Sequence, residues 1–328
     1  MILSNKLPTV NVAMTTFNHE CFIETALRSV MQQDYAGINK IYVIDDASTD
    51  KTPSVIEALC KEDDRLVFLR NTVNSGVSYS ANVVADQACA DRGVEYLALF
   101  SGDDIWHETK IRKQIEFFKQ NPKFDLVFTD SYTVRDDGAI TERLEFFDAS
   151  NFSRREWIFK LFLRNSLLAP SVLMKSIVWR SCGPFDVSIR QIQDWQFWIR
   201  AVCSGFEIHI LEEKLTFYRY LSTSISNNES TEKEMRLLSE IPDCLMAFQA
   251  LSLGELRAVF GNDLEISELF SKTKCTEVGL AILGSLVKSR GHQRFAAQLM
   301  RDYFRGNVEE GLLTAKDVAD FVGKLDLL

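Results

Sequence analysis

"ALFSGDDIW", residues 98–106, decides how the first half of the chain is read. The apolar run from Tyr96 to Phe100 has the length and composition of a strand buried on both faces, and it stops at Ser101-Gly102 against two adjacent carboxylates. Like charges placed side by side at the end of a buried strand are opposed by repulsion and by desolvation. They are tolerated where they point into water or where something cationic sits between them.

Outward from this strand the chain alternates. Val10–Met14, Ile41–Ile44, Leu66–Leu69 and Leu126–Thr129 are short apolar runs of strand type, and His19–Gln33, Thr52–Lys61, Ser78–Asp91 and Lys110–Lys119 carry helical spacing between them. In the first helix Phe22, Ile23, Ala26, Leu27 and Val30 form the apolar stripe. This β-α-β-α order predicts an α/β fold, a mostly parallel sheet with right-handed crossovers and helices on both faces. In such sheets ligands bind beyond the carboxyl ends of the strands. Three polar clusters fall there: "TTFN" (15–18), "DDAST" (45–49) and "SGDD" (101–104).

From Asp136 to Asn165 the periodicity loosens. A strand at Ser171–Lys175, a short helix at Ile177–Ser181, a "GPFD" turn, a helix over 193–206 and strands at Ile208–Leu211 and Leu215–Tyr220 follow. The polar stretch 222–234 reads as a linker, and the rest as helices without strands. The expected domains are therefore 1–225, in two halves that divide at about 130, and a helical region over 226–328.

Composition narrows the function. A chain of 328 residues can bury a full core, and its net charge of −9 argues against nucleic acid as the main partner. The seven cysteines are scattered without metal-like spacing, as reduced core thiols are, and His19, His107, His209 and His292 form no common site. The N-terminus lacks the pattern of a signal peptide and no apolar run reaches membrane-spanning length, so the expected location is cytoplasmic.

Taken together, "VNVAMTTFNHECFIETALRSVMQQDY", "IYVIDDASTDKT", "NSGVSYSAN", "FSGDDIWHETKI" and "GPFDVSIRQIQDWQFWIRA" resemble the family 2 glycosyltransferases of the GT-A fold, the group that builds bacterial surface polysaccharides. The likeness runs from about Pro8 to Tyr220. It implies an inverting transfer of a sugar from a nucleoside diphosphate donor, UDP in the first instance, to a hydroxyl of a glycan or polyprenol-linked acceptor. It further implies that Thr15, Phe17, Asn18, Asp46, Asn74 and Asp103 lie at the nucleotide sugar, with Phe17 against the base and Asp46 accepting from a base N–H. Asp104, and with it Asp103, would hold Mg²⁺ or Mn²⁺, hard ions that suit carboxylate and phosphate oxygens. Asp194 matches the family's catalytic base, and Trp106 and Trp195 are candidates for the acceptor side.

Two positions depart from the family's pattern. Ser101 stands where a further Asp is usual, and Gln193 replaces the Glu that usually precedes Asp194, which removes a repelling charge from that base. These departures keep a second reading open, a non-catalytic binder of nucleotide sugars or glycans. Plainer roles exist for single motifs: Asn18 as a helix cap, "DDAST" as a turn, Asp194 as a first-turn acid, and Trp106 as a core anchor. Near the end of the chain Arg290, Arg294, Arg301 and Arg305 fall on one helical stripe beside Phe295, Leu299 and Tyr303. That stripe reads as a contact with anionic lipid at the inner membrane face or with the pyrophosphate of a polyprenol-linked acceptor, as a solvated helix face, or as a dimer interface.

Overall fold

The computed structural model describes residues 7–135, 137–142, 151–220, 230–261, 273 and 275–306. In chain order β1 (Val10–Thr16), α1 (Ile23–Met31), β2 (Ile38–Asp45), α2 (Thr52–Leu59), β3 (Leu66–Arg70), α3 (Val77–Ala90) and β4 (Tyr96–Ser101) alternate as expected. They are followed by β5 (Ile105–Trp106), α4 (Lys110–Gln120), β6 (Leu126–Arg135), β7 (Ile140–Thr141), α5 (Arg154–Leu163), β8 (Leu173–Lys175), α6 (Ser176–Cys182), α7 (Gln193–Cys203) and β9 (Ile208–Tyr220). Beyond residue 230 come α8 (Thr231–Leu245), α9 (Leu253–Phe260), α10 (Thr276–Leu286) and α11 (Arg290–Gly306). Residues 222–229, and with them the expected boundary at 225, lie outside the described residues.

The chain packs as two compact units. The first comprises Met1–Phe152, Ser166–Arg190 and Phe206–Asn227, and the second Ser153–Asn165, Gln191–Gly205 and Asn228–Leu328. All nine strands belong to the first unit, in the order β3-β2-β1-β4-β8-β6-β9-β5, with β7 beside β6. The left half, β3-β2-β1-β4, is parallel, whereas β8 runs antiparallel to both β4 and β6, and β5 antiparallel to β9. The parallel half has the longest buried runs: Val10, Val12 and Met14, one face of β1, are fully buried in a core shared with Ile23, Ala26, Leu27 and Val30 of α1, and α3 packs against β1 from the face that carries Asn11. Asn11 is the polar exception on β1. Its side chain donates to the Ala88 carbonyl (2.8 Å) and Asp91 (2.9 Å) and accepts the Lys40 N–H (3.1 Å), so it joins two strands and α3 with its own polarity satisfied.

The elements differ from expectation in three places. α1 begins at Ile23 rather than His19; ahead of it the N–H groups of Asn18, His19 and Glu20 donate to Ser48 and Asp50 of the next loop and to Thr52 at the start of α2. β6 continues past Thr129 to Arg135 and pairs in parallel along one unbroken β9, with a register shift around Asp130. The buried Asp130, Ser131 and Thr133 hid this extension from any apolar pattern. α5 falls in the stretch that had no period. Ser153 and Glu156 close a capping box there, and Trp157, Ile158, Leu161 and Phe162 bury one face.

In the second unit α5 and α7 pack against the helices of the tail, with Phe162 at the centre of an aromatic cluster whose rings, from Phe248 and Phe260, stand 5.3 Å away. His292 is buried there and bonds the Phe162 carbonyl through Nε2 (2.7 Å), a structural histidine. Among the described residues no helix is long and apolar enough to cross a membrane.

Candidate active site

Strand register brings the three polar clusters of the first unit to one rim. Thr15 pairs with Ser101 across β1 and β4, and Thr16 with Asp45 across β1 and β2, so all three strands end level. The loops after β1 and β2 then bind each other. Asp46 donates its N–H to the Thr16 carbonyl (2.9 Å), the Asn18 N–H donates to Ser48 Oγ (2.8 Å), and Asn18 Oδ1 accepts the Thr49 N–H (2.9 Å). Asn18 (φ 52°) and Ala47 (φ 62°) both occupy the left-handed region. Asn tolerates it, but for Ala it costs about 1 kcal/mol, strain held by the surrounding bonds. Asn18 thus ties the two loops rather than capping α1, and Phe17 beside it is left 40% exposed at the rim.

Asp46 is 4% exposed, and three donors converge on its carboxylate: Asn71 Nδ2 (2.7 Å) and the Ser75 N–H (2.9 Å) on Oδ1, and the Gly76 N–H (2.8 Å) on Oδ2. Gly76, at φ 87°, takes a conformation that strains any residue with a side chain. Asp46 therefore shapes the β3–α3 loop, a role that sequence reasoning missed along with Asn71. Its neighbour Asp45 is fully buried. One of its oxygens accepts from Ser48 and Arg70, while Oδ1 has no partner among the described residues. Asn74 is exposed on the same loop. Asn82, in the same motif, is engaged on both sides by the Phe185 backbone.

At the end of β4 the Asp pair splits into two environments. Asp104 is 2% exposed, and its Oδ1 accepts the backbone N–H of Arg219 (2.7 Å). Asp103 is partly exposed and accepts from Ser101 Oγ. Burial, and then the charge of Asp103, push the Asp104 carboxyl well above the usual range, while the Arg219 N–H and charge oppose this. Arg219 also donates Nε to the Asp103 carbonyl (2.8 Å), and its guanidinium lies 4.4 Å over the Phe22 ring. Part of the cationic compensation that the sequence demanded is thus an arginine 115 residues away. Gly102 makes the turn possible. A Cβ there would stand 2.7 Å from Thr16 Cβ and 3.1 Å from His19 Nδ1.

Among the described residues no group of three or more acidic, His or Cys side chains could enclose a metal ion. The adjacent pair offers oxygen ligands only, with Asp103 the outward one. That donor set fits a hard divalent ion that takes most of its shell from phosphates and water.

Both tryptophans expected on the acceptor side are core residues. Trp106 is 3% exposed, donates Nε1 to the Pro170 carbonyl (2.7 Å) and packs between Phe100 (4.2 Å) and the buried Lys110 ammonium group (4.1 Å). Trp195 is 5% exposed and donates Nε1 to the Leu161 carbonyl (2.8 Å). Large aromatics near a motif are drawn into the core by the area they bury, and the sequence alone does not distinguish this from a sugar platform.

Asp194 sits in the first turn of α7, in the second unit. Oδ1 accepts the Trp195 N–H (2.7 Å) and Oδ2 accepts from Asn165 Nδ2 (3.2 Å). Burial pushes its carboxyl up to about 6, against these bonds and the Trp198 N–H, all of which favour the charged form. The shift arises without a neighbouring acid at 193. A carboxyl of this pKa is mostly ionised at pH 7 and still basic enough to collect a proton in a transition state.

Comparison with known proteins gives the family and the fold. A sequence model described as "Glycosyl transferase family 2" matches residues 11–178. An uncharacterized glycosyltransferase of Methanocaldococcus jannaschii is 29% identical over 214 residues, which is 65% of this chain and 71% of that one. TuaG of Bacillus subtilis, whose name assigns it provisionally as a glycosyltransferase of teichuronic acid biosynthesis, is 27% identical over 235 residues, 69% of this chain and 85% of that one. The crystal structure of S. aureus TarS residues 1–349 with UDP superposes with a TM-score of 0.57 at 18% identity, over 96% of this chain and 90% of that one. At that identity the likeness is one of fold, the GT-A fold. On the match over residues 11–178, the chain belongs to glycosyl transferase family 2.

Proposed function

We propose that the protein is an inverting glycosyltransferase that moves a sugar from a UDP-linked donor to a hydroxyl of a glycan or lipid-linked acceptor. The observation that carries this reading is the level ending of β1, β2 and β4, which gathers Phe17, Asp46 and the Asp103–Asp104 pair at one rim. TarS structures determined with UDP and with UDP-GlcNAc support the choice of nucleotide.

In this reading Phe17 stacks on the base and Thr15, Asn18 and Asn74 line the nucleotide. Three donors already converge on Asp46, which leaves its carboxylate about one acceptor position for a base N–H. Asp103 becomes the principal metal contact in place of Asp104, which the resemblance put first, because Asp104 is buried and held by the Arg219 N–H, from where it fixes the geometry of the turn. When bound, Mg²⁺ or Mn²⁺ would neutralise the charge that develops on the diphosphate. Asp194 takes the proton of the attacking acceptor hydroxyl. The experiment is UDP release from a panel of UDP-sugars with and without Mn²⁺. Metal-dependent turnover that is lost in Asp103→Asn and in Asp194→Asn supports the reading, and UDP binding without turnover of any donor refutes it in favour of a non-catalytic binder.

A peripheral membrane contact is proposed for Arg290, Arg294, Arg301 and Arg305, all exposed on α11 and without an ion pair among the described residues. Phe295 and Leu299 are buried in the second unit, so this contact is electrostatic rather than inserted. Sedimentation with anionic vesicles, abolished by about 0.5 M salt and absent with zwitterionic vesicles, is the expected result. Equal binding to both refutes it.

A further inference from the structure

α7 begins without a cap of its own. Its N-cap residue is Ile192, whose side chain cannot accept a hydrogen bond, and the backbone donors that open a helix need partners. Those just ahead of it find one in the helical tail. Glu240, on α8 and 5% exposed, accepts the N–H of Gln191 (2.9 Å) and the N–H of Ile192 (3.3 Å) on the same carboxylate oxygen, Oε2. α8 holds the next turn as well, since the Gln196 amide donates to the Asp243 carbonyl (3.4 Å). The Cys244 thiol, one turn beyond Glu240, feels the charges of Asp194, Glu240 and Asp243 and, more weakly, that of Arg200. The carboxylate of Asp194 therefore lies close to α8, on a turn whose backbone is held at 191 and 192 by one side chain from a later helix.

We infer that Glu240 is the positioning residue for Asp194, fixing through the Gln191 and Ile192 N–H groups the turn from which that carboxylate projects. This inference rests on the reading of Asp194 as the base. A base must sit within hydrogen-bond reach of the proton it takes, and a misplacement of about 1 Å can cost about a hundredfold in rate. On this account the helical tail contributes to the chemistry through α8. The glutamate absent from position 193 has a counterpart in α8 that acts on backbone donors.

The test uses the full chain, Mn²⁺ and whichever UDP-sugar the native protein turns over, with three variants. Glu240→Ala removes the acceptor, Glu240→Asp keeps the charge but withdraws it from both N–H groups, and Glu240→Gln keeps an oxygen in place without the charge. The expected result is a fall in kcat of about tenfold to a hundredfold in Glu240→Ala and Glu240→Asp, with donor KM near native and Tm lowered by a few degrees, because two N–H groups lose their buried acceptor. Glu240→Gln recovers most of that loss. The acid limb of kcat/KM moves to lower pH in Glu240→Ala, because a loosened Asp194 is better solvated and burial is what raises it. The titratable or charged groups around it are Glu240, Asp243 and Cys244 on α8 and Arg200 on α7. Native kcat in Glu240→Ala with an inactive Asp194→Asn overturns this inference alone. So does equal loss in the Gln and Asp variants, a comparison that stands even if Glu240→Ala fails to fold. Full activity in Asp194→Asn overturns the base reading and this inference together.

Discussion

The protein carries candidate site carboxylates in both of its units, and the two are raised by different means. At the end of β4 two acids are adjacent. Burial and mutual repulsion both raise Asp104, and an arginine from β9 offsets part of the cost. In α7 a single acid stands at a helix start, raised by burial alone while every nearby hydrogen bond works the other way. The first arrangement calls for a cation and suits a diphosphate. The second remains a free base at neutral pH. The difference teaches that a carboxylate's task is set by what surrounds it, since the side chains are chemically the same.

The sharpest way to break this contrast is Asp194→Asn. It is expected to lower kcat by about 10²–10⁴-fold while UDP affinity, measured by calorimetry, stays native. The rim is tested next by treating its two acids differently. Asp103→Asn should reduce Mn²⁺-dependent turnover by about tenfold to a hundredfold and leave the fold intact. Asp104→Ala strands a buried Arg219 N–H, so it should cost about 1–3 kcal/mol in denaturant unfolding. If Asp104→Asn loses more turnover than Asp103→Asn, the proposed division between them is wrong.

Gly102→Ala probes whether the turn geometry itself matters. The added methyl carbon would lie 2.5 Å from Thr16 Oγ1, so a fall in kcat of about tenfold is expected, checked by steady-state kinetics at saturating Mn²⁺. The smallest effect concerns stability. The Asp194 carboxyl titrates near 6 when folded and near the ordinary value of about 4 when unfolded. Between those values the folded chain binds more protons, so native stability falls as pH rises through the window. Asp194→Asn lacks this dependence. Its Tm should therefore gain on the native value by a few degrees from about pH 4 to about pH 6, read by calorimetry. A constant difference would mean that the carboxyl is not raised.

Much of the architecture was legible because it is local. Apolar runs of strand length and helices of correct period marked every strand of the parallel half of the sheet, although β2 begins at Ile38, ahead of the expected Ile41, and α1 at Ile23, after the expected His19. α5 was missed, although a local signal for it stands in the sequence. "SRRE" ahead of Trp157 is a capping box, and its signal was lost in an otherwise irregular stretch. The far half was less readable, since β6 and β9 carry buried polar residues whose reason is each other: Thr129 and Thr216 share a hydrogen bond across 87 residues of sequence.

The candidate site divides in the same way. The sequence by itself determined which residue types stand at the ends of β1, β2 and β4, because strand length and the β-α-β-α order place polar clusters there whatever the rest does. It also placed Asp194 at a helix start. Tertiary structure alone decided that Asp104 is buried and Asp103 outward, that Trp106 and Trp195 belong to the core, and that Asp46 organises a loop. It also brought Arg219 to the acid pair and Glu240 to the start of α7. The physical reason is that burial, and the partner a buried charge finds, depend on which distant segments pack together, and no spacing within a short window encodes that.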